Sequence, residues 1–254
     1  MVYRAFRLAR LKSRKFDCNA DDRYNICLQT GVYSAIDLIL DVLPLGLITW
    51  APPCAMFVFM SSNVHKRTKK KPLGNVKNIS VQLANIIVDN MAFLMQLATR
   101  RRLWQVLEQP FSSLMYAMPA LKRVIKKWKR IYLHMGAFGH AMLKPTLLYG
   151  TLPSLGDLAQ QVHIRERVRS KSGTKHVRKT GKMLKKDSKH GLLYHFPAVN
   201  KGKSTMRKIT GGPGLKSSAA YPYRFGQSLR VAWKKDFVDM SRSVQQFLPA
   251  WLRD

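Results

Sequence analysis

The sequence predicts a mainly α protein: a loosely packed helical membrane-associated bundle with a disordered basic segment. Three observations carry that expectation. Val42 to Val64 contains no charged side chain, apolar residues recur at helical spacing in several later stretches, and Arg165 to Lys216 holds sixteen Lys or Arg against two acids. At about 1.5 Å per residue, Val42–Val64 would cross a hydrocarbon core of about 30 Å. The basic stretch, rich in Gly, Ser and Thr, cannot bury enough apolar surface to offset chain entropy.

The charge limits the partners. The chain of 254 residues carries 45 Lys and Arg against 13 Asp and Glu, a net charge of +32, with 46% hydrophobic residues. Such a core content argues against global disorder, and such a charge asks for an anionic partner, an acidic membrane surface or RNA. Residues 1–16 hold six cations and no acid among Val2, Phe6, Leu8 and Leu11, which reads as a mitochondrial targeting segment or a phosphate-binding arm.

Residues 17–118 form the hydrophobic helical region, with the candidate span at 42–64. His65-Lys66-Arg67-Thr68-Lys69-Lys70-Lys71 follows it, the kind of cluster that stays on the non-translocated side. Pro44, Pro52 and Pro53 interrupt the run, so a buried apolar core segment is the competing reading. Ile79–Ala98 contains Gln82, Asn85, Asp89, Asn90 and Gln96, and suits either a bundle interior or an amphipathic helix closed by Arg100-Arg101-Arg102.

Residues 119–163 begin with a basic amphipathic helix. Leu121, Val124, Ile125, Trp128, Ile131 and Tyr132 share one face of it over Pro119–Tyr132. Lys122, Arg123, Lys126, Lys127, Lys129 and Arg130 take the other. Ordinary surface helices mix signs, so these cations point to anionic lipid or phosphate. Residues 164–220 are a basic tail or linker whose Arg178, Lys179, Lys182, Lys185 and Lys186 suit the same ligands. Residues 221–254 carry a C-terminal amphipathic helix over Gln227–Leu248, built on Leu229, Trp233, Phe237, Met240 and Val244.

No catalytic constellation emerges, and the chain reads as non-enzymatic, with no cofactor and no metal site. The seven histidines include no His-Glu-x-x-His pair, and His134 and His140 fall on different helical faces. Cys18, Cys27 and Cys54 read as reduced structural thiols rather than a disulfide framework. Thr180-Gly181-Lys182 lacks the flanking residues of a phosphate-binding loop.

The stretch LLYGTLPSLGDLAQQ at 147–161, with Trp128 upstream, resembles the entry motif of the Mpv-seventeen and peroxisomal-membrane-protein-twenty-two family. The positions that carry the resemblance are Trp128, Pro145, Tyr149, Gly150, Gly156, Asp157, Gln160 and Gln161, with Leu147, Leu148 and Leu152 between them. The resemblance implies a helical bundle in the mitochondrial inner or peroxisomal membrane, with a pore-like or membrane-homeostasis role. Gly150 and Gly156 would permit close helix approach, and Asp157 and the two Gln would bond across the bundle. In the family the motif lies near the amino terminus and further spans follow it, whereas here it follows more than a hundred unrelated residues. The alternative is a structural RNA-binding protein of a ribosomal, mitoribosomal or viral core particle, neutralising phosphate with its basic tail.

Overall fold

The computed structural model describes residues 2–140, 144–159 and 221–247, with side chains of the last helix through Ser243. Its architecture is a four-stranded mixed sheet between helical layers, which corrects the expected all-helical membrane bundle. In chain order the elements are α1 (Val2–Arg7), α2 (Gln29–Leu40), β1 (Leu47–Trp50), α3 (Ser62–His65), α4 (Ile79–Arg100), β2 (Trp104–Pro110), α5 (Pro119–Ile125), β3 (Lys129–His134), β4 (Pro145–Gly150) and α6 (Tyr223–Phe247). The strand order is β1-β2-β4-β3: β1 and β2 are parallel across α4, and the other two pairings are antiparallel.

The uncharged run 42–64 is not a span. Pro44 and the Pro52-Pro53 pair cut it to strand length, because proline neither donates to a ladder nor continues a helix. What remains between them, with β-branched Ile48 and Thr49, becomes β1. Trp50 lies against protein: its Nε1 donates to Gln105 Oε1 at 3.1 Å, and its ring packs on both clusters beneath α4. Gln105, fully buried, also donates to Met95 O at 3.1 Å and Thr99 Oγ1 at 2.9 Å, tying β1, β2 and α4 together. The basic cluster behind the run is part of the fold as well. His65 and Arg67 are buried, the His65 ring bonds Val58 O and Arg67 N, and Arg67 reaches Met56 O and Asn85 Oδ1 at 2.8 Å each.

Among the described residues α4 alone is long and apolar enough to cross a membrane, and 44% of its most apolar window is buried inside the protein. Its start is set by Asn78, whose Oδ1 accepts from Ser80 N and Val81 N. Val88, Met91 and Met95 pack on Leu107, Met115, Met118 and Leu121 beneath one face of the sheet. Each such side chain contributes about 1.5–3 kcal/mol by leaving water.

On the opposite face α6 presses Phe225, Leu229 and Ala232 onto Val106, Leu133 and Leu148. Polar contacts fix its place. Buried Asp236 accepts from Ser154 N at 2.8 Å and Ser154 Oγ at 2.6 Å, and Trp233 Nε1 donates to Leu45 O at 2.9 Å. The helix starts earlier than its apolar periodicity suggests, at Tyr223.

Candidate nucleic-acid interface

The segment read as one basic helix over Pro119–Tyr132 divides in two. Helical spacing holds through Ile125; Trp128 N closes the last turn on Ile125 O, and the chain then extends into β3. The apolar residues that fitted a helix now alternate. Ile131 and Leu133 lie on the α6 side with Leu148 and Val106, whereas Arg130, Tyr132 and His134 lie on the α5 side, with Arg130 opposite Tyr149 and Tyr132 opposite Leu147.

This break places the cations at a corner. Lys122 and Arg123 belong to α5, Lys126 and Lys127 to the turn, and Lys129 and Arg130 to β3; all six are exposed. Lys129 Nζ donates to Pro153 O at 2.6 Å. β3 is an outer strand of the sheet, and cations on such a strand discourage strand addition. That role accounts for two cations and leaves four.

Aromatic rings continue the corner. Phe111, just past β2, is 52% exposed and meets Tyr132, 45% exposed, edge-on with ring centroids 5.0 Å apart. Tyr132 in turn meets the His134 ring at 5.0 Å, with its hydroxyl 3.1 Å from Nε2. Cations leading into exposed rings can hold successive phosphates while bases stack.

The remaining motif residues do not form a helix–helix seam. Pro145, Tyr149 and Gly150 belong to β4, which corrects the helical expectation for this stretch. Trp128 is half-buried against the α4–α5 core, and the Tyr149 ring lies 4.6 Å from that of Tyr116. Gly150 is required by a close approach, since a Cβ there would meet Gln105 O at 2.7 Å. Gly156 is not, since a Cβ there would meet nothing within 4 Å. Asp157 pairs with Lys235 of α6 at 3.0 Å, both partly exposed. Gln160, Gln161, Arg178, Lys179, Lys182, Lys185 and Lys186 lie outside the described residues.

Sequence reasoning missed a second group, at the carboxyl ends of the parallel strands β1 and β2, the edge where ligands of open α/β sheets bind. Glu108 of β2 is 7% exposed. Its Oε2 accepts from the Tyr221 hydroxyl, and its Oε1 has no hydrogen-bonding partner among the described residues. The nearby Thr146 hydroxyl donates instead to Lys144 O at 2.9 Å. Burial pushes the Glu108 carboxyl up, opposed by the Lys144 ammonium, which stands 4.6 Å over the Tyr221 ring. Burial, and then the Glu108 charge, push the Cys54 thiol up as well, so it is held as a thiol rather than a nucleophilic thiolate. The signal that could have found this group is a single acid inside the otherwise uncharged strand Trp104–Pro110.

All three cysteines are free, and among the described residues no three His, Cys, Asp or Glu side chains gather as a metal site. Comparison with known proteins finds no protein family, no curated protein and no solved structure that this chain matches. The fold and surface therefore define a class by themselves: a mixed α/β domain with a basic, aromatic-edged corner.

Proposed function

We propose that this protein binds single-stranded RNA through the α5–β3 corner, as a binding protein rather than an enzyme. The observation that carries the reading is the run of exposed cations Lys122, Arg123, Lys126, Lys127, Lys129 and Arg130, the last of which shares a face of β3 with Tyr132 of the exposed Phe111–Tyr132 pair. Cations on a rigid helix-to-strand corner meet phosphates without the ordering cost of a flexible tail. The rings add a contact that double-stranded RNA, with its bases already stacked, cannot use.

A pore-like membrane role has no comparable support. The stretches that suggested it fold as β1 with its loops and as β4, inside a sheet.

The test is fluorescence anisotropy of the nuclease-treated full chain with a labelled single-stranded RNA of about 20 nucleotides. The logarithm of the affinity should fall linearly with that of salt concentration, by roughly 0.7 per neutralised phosphate. An affinity unchanged between about 50 and about 200 mM salt would defeat the proposal.

A further inference from the structure

In a chain of forty-five cations, no Lys or Arg occurs between Tyr24 and His65 or between Asn78 and Thr99. The helices α2 and α4 come from those two stretches. They pack on each other through Ala35, Ile39, Leu94 and Ala98, on the side of the sheet away from α6. Their outer surface sets large apolar side chains beside the exposed polar residues Asp37, Gln82, Asp89 and Gln96. On α4, Ile79 is 64% exposed, Leu83 42%, Ile86 41% and Phe93 53%; on α2, Tyr33 is 57% and Leu40 47% exposed.

The α4 residues are not scattered. Ile79, Leu83, Ile86 and Phe93 follow one another at steps of four, three and seven, the spacing of a helix seam that packs lengthwise on another helix, with half-buried Asn90 at its edge donating to Ile26 O at 2.7 Å. This seam is distinct from the stripe of Val81, Val88, Met91 and Met95 that already faces the core. A surface helix with one buried stripe ordinarily carries polar residues on its other face.

We propose that a second copy of this chain covers this seam, with α4 packed antiparallel on α4 about a two-fold axis at Ile86. Reflection about that position sets Ile79 opposite Phe93 of the second copy, Leu83 opposite Asp89, and Ile86 opposite itself. A self-complementary patch of this kind is what a two-fold dimer requires.

Charge selects this occupant. Two copies of net charge +32 repel over most of their surface, and the α2–α4 layer is where they can meet without opposing cations. The charges exposed on it are Asp37 and Asp89, and cations enter at its rim, where Arg14 pairs with Asp41 at 2.9 Å. An acidic lipid surface would set a continuous layer of anions against those carboxylates, whereas a second copy brings only its own Asp37 and Asp89. Size is adequate. From helix lengths of 22 and 12 residues, each helix about 10 Å wide, the layer presents on the order of 500 Å² per copy, about 1,000 Å² for the pair, the lower bound of a specific interface.

The experiment is sedimentation equilibrium of the nuclease-treated full chain at tens of micromolar, in salt high enough to screen the net charge. The expected result is a dimer that Ile86→Glu converts to monomer, raising the dissociation constant about 100-fold or more, with Phe93→Gln weakening it about tenfold. Ile86 is on the surface, so circular dichroism of the variant should match the parent. Geometry is read separately by cysteine pairing with Cys18→Ser as background. Oxidation should link Ile86→Cys chains to one another and leave Ile79→Cys chains unlinked, a readout that stands even if the Glu variant fails to fold. A monomeric parent, a dimer unaffected by Ile86→Glu, or equal linking at both positions overturns the proposal. So does a monomer that pellets with phosphatidylcholine–phosphatidylserine vesicles and loses them on Ile86→Glu. RNA affinity of Ile86→Glu is measured alongside, so that failure of dimerisation and failure of the α5–β3 interface are told apart.

Discussion

The α5–β3 corner and the α2–α4 layer are both exposed, lie on the same side of the sheet, and are built in opposite ways. The corner places six cations within nine consecutive positions and no acid. The layer has no cation along either helix before Arg100, and it leaves Ile79, Ile86 and Phe93 in contact with solvent. The difference teaches that the charge of this protein is sorted rather than spread. An evenly basic surface would repel every copy and attract every polyanion; a sorted one has a face for phosphate and a face for apolar contact.

The largest expected effect comes from inverting the corner. Lys122→Glu, Lys126→Glu and Lys127→Glu together should lower single-stranded RNA affinity on the order of a thousandfold at low salt and flatten the salt dependence by roughly 0.7 for each phosphate no longer neutralised. Anisotropy titrations at several salt concentrations read both. The comparison is then sharpened by adding Gln82→Lys, Asp89→Lys and Gln96→Lys to that variant, which places cations on exposed positions of α4. If the corner matters as a surface, affinity stays within about tenfold of the reversed variant; since the added lysines restore four of the six charges removed, recovery of most of the loss would mean that net charge alone drives binding.

A smaller effect isolates the rings. Phe111→Ala and Tyr132→Ala should each weaken single-stranded RNA binding by about 1–3 kcal/mol and leave double-stranded RNA binding almost unchanged, because unstacked bases alone can use the ring faces. Equal losses for both forms of RNA would assign the rings to folding instead.

Some of this was legible in the residues. The α4 helix announced itself through its apolar stretch Ile79–Ala98 and its closing arginines, and the basic corner through six cations with no acid. The sheet was not legible, for identifiable reasons. β1 is four residues inside an uncharged run whose length imitates a membrane span, and the decisive signals were its prolines. β3 hides behind α5: Ile131 and Tyr132 extend the helical period by coincidence, and only the alternation of Ile131 and Leu133 against Tyr132 and His134 betrays the change of period at Trp128. β4 reads as a helix in the light of a family motif, although its Gly150 is there for the Gln105 carbonyl of the neighbouring strand. Glu108 and Tyr221, more than a hundred residues apart, meet through the fold and through nothing in their local sequence.

Glu108 also yields the smallest prediction, because it is a buried acid whose Oε1 has no hydrogen-bonding partner among the described residues. Glu108→Gln preserves the side-chain volume and an oxygen to accept from Tyr221, while removing the titration. Burial raises the folded-state pKa above the ordinary value of 4.5, so the folded protein holds this proton more tightly than the unfolded chain does. The stability associated with that proton is fully present below about pH 4.5 and is lost as pH rises through the raised value. The parent should therefore lose stability relative to the Gln variant across that window and stay below it at about pH 8. Urea midpoints of both proteins from pH 4 to 8 measure the difference. A gap that fails to widen with pH would mean that Lys144 and Tyr221 compensate the buried carboxylate fully, and that the carboxyl edge, like the corner, is organised around a stable charge.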